Sequence, residues 1–255
     1  MPQSPLENPA LTASDCVGYT PPSGNAAEIA LNIGADQIQR AILYLIAFIL
    51  SIAVHEFGHA WVATRLGDPL PRLQGRLTLA PQHHIDPIGT MLMPILMALT
   101  SVPLLAWGRP VQTNPAAYTR RYSLSTGRMM VAVAGPAMNL IMAFVVSIVI
   151  VIAARLHAPD RLLNTIFHYL VRLNISLMIF NLIPIPPLDG GAVLAWLLPR
   201  SMHNVVDFLA RYGGFVLLLM VISPSLGLPL MGIIGYPIDL ITSYWIAGLS
   251  MVMGS

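Results

Sequence analysis

Long apolar runs separated by short polar intervals set the pattern of this chain. A bilayer-spanning helix needs about 20 mostly apolar residues, and the first such run extends from about 37 to 63, with Asp36 placed to cap its start. A polar interval, 65–86, follows; within it Arg72-Leu73-Gln74-Gly75-Arg76-Leu77-Thr78-Leu79 alternates with a period of two, which predicts a short β-hairpin. Residues 88–107 are apolar but broken by Gly89, Pro94 and Pro103. After a polar loop with four arginines come strong runs at about 129–154 and 166–188, then two more near 205–223 and 228–249. The pattern predicts an all-α polytopic membrane protein with about five transmembrane helices, one re-entrant or non-crossing apolar segment and the small hairpin. Residues 1–36, rich in Pro, Ser, Asn and Ala, read as a flexible tail without the charged start and apolar core of a signal peptide. Residues 37–255 read as one membrane-embedded domain.

Composition agrees. Only 9% of the 255 residues are charged and 56% are hydrophobic, against roughly 25% charged in soluble domains. Mean hydropathy is +0.71. Lipid is the natural solvent. The net charge of +2 is too small to suggest nucleic acid, and the single cysteine, Cys16, excludes an internal disulfide framework or a cysteine-based metal site.

Against that background His55-Glu56-Phe57-Gly58-His59 stands out, an HExxH pattern in the second half of the first apolar run. Residues four apart lie on nearly one face of a helix, so both imidazoles can reach one tetrahedral zinc. Glu56 is placed to take a proton from an attacking water. Ionisable groups in apolar spans are costly and usually mark function, and a divalent cation would compensate the cluster.

A catalytic zinc usually takes three protein ligands. The candidates for the third are Asp189, His83, His84, Asp86, Asp207 and Asp239. Asp189 is favoured because it ends an apolar span in Pro- and Gly-rich sequence, and irregular backbone at membrane depth is tolerated where it lines a cavity or is buried in protein. An Asp that merely caps a helix starting at Gly190 would give the same pattern.

HEFGH in a membrane helix, then Gly135-Pro136-Ala137-Met138-Asn139, then Asn181-Leu-Ile-Pro-Ile-Pro-Pro-Leu-Asp-Gly-Gly191 closely resembles the site-2 protease family of intramembrane zinc metalloproteases. The resemblance spans more than half the chain and implies one zinc ion on His55, His59 and Asp189, with Glu56 as catalytic base. It implies that Asn181 faces the active site and that Gly135 and Asn139 lie beside the substrate path. It makes 37–255 a metalloprotease domain with its catalytic core at about 37–191, acting on transmembrane protein substrates within the bilayer. Too few residues separate Asn139 from Asp189 for a PDZ-like insert, which places the chain nearer the compact subgroup with Leu-Gly-Asp-Pro at Leu66 to Pro69.

For His55, His59 and Asp189 to meet at one depth, their two helices must run in the same direction. One of the two intervening apolar stretches must then fail to cross, and the Gly- and Pro-broken 88–107 is the weaker. On that arrangement Arg65, Arg72, Arg76, Arg109, Arg120, Arg121, Arg128 and Arg200 fall on the zinc side. An arginine excess marks the cytoplasmic face, so the site is expected to open to the cytosol from the inner membrane of a bacterium. A non-catalytic zinc-containing membrane regulator would have no need of Glu56. A metal transporter would carry ionisable residues along several helices or repeated halves, and neither appears.

Overall fold

The computed structural model describes residues 35–100, 106–156, 161–223 and 230–254. The chain divides into a unit at 1–38 and a compact unit at 39–255. Nearly all of the expected N-terminal tail, and the side chain of Asp36, lie outside the described residues.

Helix α1 (Ala35–Arg65) is followed by a single helical turn, α2 (Leu70–Leu73), and by α3 (Met93–Thr100), which continues a π-helical turn at Pro87–Leu92. Then come α4 (Leu124–Leu156), α5 (Arg161–Asn181), the short α6 (Asp189–Leu197), α7 (His203–Ile222) and α8 (Leu230–Gly254). Four stretches, Ile38–Arg65, Leu124–Leu156, Leu162–Asn181 and Arg200–Ile222, are long and apolar enough to cross a membrane by length and composition. The 25-residue α8 stands where the fifth was expected and packs against α4, α5 and α7.

The expected hairpin is corrected: among the described residues there is no strand. Pro69 and Pro71 preset helical φ and lack N–H donors for a ladder, and Gly75 at φ +67° turns the chain. Burial does not follow the alternation either. Leu73 and Leu79 are exposed, whereas Arg76 is buried and donates to the carbonyl oxygens of His83 and Arg109.

The interrupted stretch at 88–107 starts and ends at one place. Trp107 N–H donates to Gly89 O at 3.2 Å, and Thr90 Oγ1 donates to Trp107 O at 2.8 Å. Gly89 is required here, since a Cβ would run into the Trp107 ring. The two described ends of the stretch are thus hydrogen-bonded together.

Among the described residues α4 is the one long helix between α1 and α5 in sequence. Contacts run in parallel order between α1 and α5: Tyr44 meets Tyr169 edge to face, and Ser51 accepts from Asn174 Nδ2 at 2.8 Å. They run in opposite order between α1 and α4, where His55 meets Asn139 and His59 meets Val131. Ala47, Phe48 and Ile52 of α1, Ala143, Val146 and Ile150 of α4, and Leu170, Val171 and Ile175 of α5 form the central apolar cluster. Gly58 lets α1 approach the α4 backbone at Ala134, the small-residue packing typical of membrane helices.

Candidate metal centre

The parallel α1 and α5 bring three donors together. His55 and His59 lie one turn apart on α1, and Asp189 opens α6 just past the turn that follows α5. Their donor atoms all lie within 4.8 Å of one another. Asp189 Oδ2 is 3.2 Å from His55 Nε2 and 3.4 Å from His59 Nε2, and the two Nε2 atoms are 3.0 Å apart. Asp189 belongs to the first turn of α6, with Leu188 as the N-cap, so its side chain is free of capping.

The other ring nitrogens decide what these atoms can bind. His55 Nδ1 donates to Asn139 Oδ1 at 2.8 Å, and His59 Nδ1 donates to Val131 O at 2.7 Å. Each Nδ1 therefore carries a proton, and in the neutral ring each Nε2 presents a lone pair, the arrangement in which an outer partner orients a metal-binding imidazole. Asp189 Oδ2 is buried and has no hydrogen-bond partner. Three potential metal-ligand atoms thus converge, and the His₂-carboxylate set suits zinc. Gly135 makes room: a Cβ there would collide with both imidazoles. The structure thus sets Gly135 and Asn139 directly against the histidines.

Pro136 sits inside α4 and cannot donate to Ala132, which loosens the backbone ladder at this point. The neighbouring carbonyl, Val131, serves His59.

Glu56 lies in the same cavity, of about 330 Å³, with Asn181, Tyr118 and Arg128 also in its lining. Glu56 Oε2 accepts from Val111 N–H at 2.9 Å. Asn181, the last residue of α5, donates from Nδ2 to Leu177 O at 2.9 Å. Burial raises the Tyr118 phenol above its usual value, with a hydrogen bond to Thr113 opposing, so it stays neutral in the cavity wall. The turn from Leu182 to Leu188 is held tightly: a Cβ on Gly190 would strike the Leu182 and Ile183 carbonyls, and one on Gly213 of α7 the Pro186 carbonyl.

The other third-ligand candidates are occupied elsewhere. His84 is buried, with Nε2 on Thr78 O at 2.8 Å. Asp86 caps the π-helical turn through Ile88 N and Gly89 N. Asp239 pairs with Arg172, Asp207 is exposed on α7, and His83 lines a separate polar pocket with Arg76 and Arg109.

Residue reading missed two contributors, because both act through the backbone: Val111 N–H and Val131 O carry no side-chain signature. The buried Asp68 explains how Val111 is placed. Its carboxylate accepts from Leu70 N at 2.9 Å and from Asn114 N, tying the Leu-Gly-Asp-Pro turn to the segment that crosses Glu56.

A pair of helical histidines, a carboxylate at the end of a parallel helix and a glutamate beside them define a membrane metalloprotease. The chain belongs to peptidase family M50, the site-2 protease family, whose model matches residues 150–221. It is 35% identical over 185 residues, 71% of this chain and 80% of the relative, to the Bacillus subtilis (strain 168) protein named "Putative zinc metalloprotease YwhC". It is 28% identical over 208 residues, 78% of this chain and 74% of the relative, to "Putative zinc metalloprotease Rip2" of Mycobacterium tuberculosis (strain H37Rv). No solved structure gives a significant match. The protein is an integral membrane protein with zinc as its cofactor.

Proposed function

We propose that this chain is an intramembrane zinc endopeptidase that hydrolyses peptide bonds within or near transmembrane segments of membrane-protein substrates. The observation that carries this reading is the placement of Glu56 in one cavity with His55, His59 and Asp189, between helices of membrane-spanning length.

His55, His59 and Asp189 would hold the zinc, which when bound supplies Lewis acidity toward a carbonyl and toward water. Glu56 accepts a proton from the attacking water and returns it to the leaving amine. The Val111 N–H holds the Glu56 carboxylate in one orientation while leaving its other oxygen for that proton. Asn181 borders the same space, and its amide can polarise the scissile carbonyl. Asn139 and Val131 fix the imidazole orientations and Gly135 clears their volume.

The substrate helix must unwind before attack, since its carbonyls are hydrogen-bonded internally. The arginine excess on the side of the site supports an opening toward the cytosol from a bacterial inner membrane. The test is zinc content with cleavage of labelled single-span peptides in vesicles. Wild type should bind one zinc and cleave, with cleavage blocked by a chelator. His55→Ala, His59→Ala and Asp189→Ala should lose both properties. Chelator-resistant cleavage would overturn the reading.

A further inference from the structure

The lateral surface is not uniform. Between 137 and 152 the exposed residues of α4, among them Ile141, Phe144, Val145, Ile148 and Ile152, are all apolar, as a lipid-facing surface requires. The outward stripe of α8 differs. Tyr236, Asp239, Leu240, Ser243 and Tyr244 follow the i, i+3, i+4, i+7, i+8 spacing of one helix face, and all are exposed. Tyr236 and Tyr244 are 70% and 72% exposed.

Beside this stripe Arg172 of α5 bonds Asp239 through Nη2 and Oδ1 at 2.9 Å, with the two side chains 62% and 64% exposed. Arg172 lies near the middle of the candidate span Leu162–Asn181, and Asp239 lies well inside the 25-residue α8 that packs against it. Charges at that depth face a protein interior or a water-filled cavity, not hydrocarbon. A single hydrogen bond leaves Asp239 Oδ2 and most of the guanidinium open at the surface, so a covering partner must offer both an acceptor and a donor.

We propose that the α5–α8 face bearing Arg172, Asp239, Tyr236 and Tyr244 is covered in the membrane by the same face of a second copy of this chain. Two copies in one membrane orientation are related by rotation about an axis along the bilayer normal, which preserves depth. The Arg172–Asp239 bond holds both charges at one depth, so the rotation brings the cation of each copy onto the anion of the other. This is the self-complementarity of an isologous interface. The flanking tyrosines supply rigid contact area. The inference concerns assembly and does not rest on the hydrolytic reading.

The test is disulfide trapping in native membranes, with Cys16 replaced by Ser. Tyr244→Cys should trap a species of about twice 27.6 kDa, whereas Phe144→Cys on α4 should not. Adding Asp239→Arg places like charges across the axis and should cut trapping roughly tenfold. The exchange Arg172→Asp with Asp239→Arg keeps the pair and should restore it. Equal trapping at Phe144, an adduct with a protein of another mass, trapping only with a co-expressed substrate, or no recovery in a membrane-inserted exchange variant would each overturn the proposal.

Discussion

The Nε2 atoms of His55 and His59 stand 3.0 Å apart on one turn of α1, and each ring's Nδ1 is tied to an oxygen of α4. Helix α4 therefore orients both donors. Removing the Asn139 oxygen frees the His55 ring. Asn139→Ala should weaken zinc binding by about 10–100-fold, whereas Asn139→Asp keeps an acceptor and should lose less. Chelator competition checks this, and equal affinity in all three proteins would contradict it.

Gly135 separates packing from propensity. In a helix interior Gly→Ala ordinarily stabilises by about 1 kcal/mol. Here the added methyl meets both imidazoles, so Gly135→Ala should lose zinc while the chain still inserts and purifies as a folded protein. Zinc content and thermal unfolding measured on one sample separate the two effects.

Asp68 is buried and serves two backbone donors across the loop. Asp68→Ala leaves them unsatisfied, at a cost of about 1–3 kcal/mol. The segment through Val111 should then become sensitive to limited proteolysis, and cleavage should fall with zinc retained. Loss of zinc in that variant would contradict the assignment, since Asp68 touches none of the three donors.

Burial lowers the His84 pKa below its usual 6.5, with the Thr78 carbonyl bond opposing. The folded protein then takes up the His84 proton less readily than the unfolded chain does. The His84 contribution to stability is complete above about pH 6.5 and declines as pH falls from there toward the lower folded value. Unfolding of wild type and His84→Phe in detergent checks this: the wild type should lose more stability on acidification than the variant.

Much of this was legible in the sequence because the bilayer penalises ambiguity. Long apolar runs marked the helices, and the need for His55, His59 and Asp189 to meet at one depth led to the expectation that 88–107 does not cross, with which the Trp107–Gly89 bond between its ends is consistent. The hairpin was misread because alternation at Arg72–Leu79 reflects neither burial nor pairing; two prolines and one buried arginine decide that segment. Val111 and Val131 were invisible because a backbone amide or carbonyl has no residue identity. Asn139 was marked by the family pattern, but its bond to His55 needed the antiparallel packing of α1 and α4.

The central claim is that Glu56 serves the reaction and not the metal, and quantitative membrane proteomics of cells carrying wild type or Glu56→Gln tests it most directly. The variant is expected to retain zinc at the wild-type level while single-span membrane fragments accumulate. A variant with full zinc content and a membrane proteome indistinguishable from wild type would contradict the account.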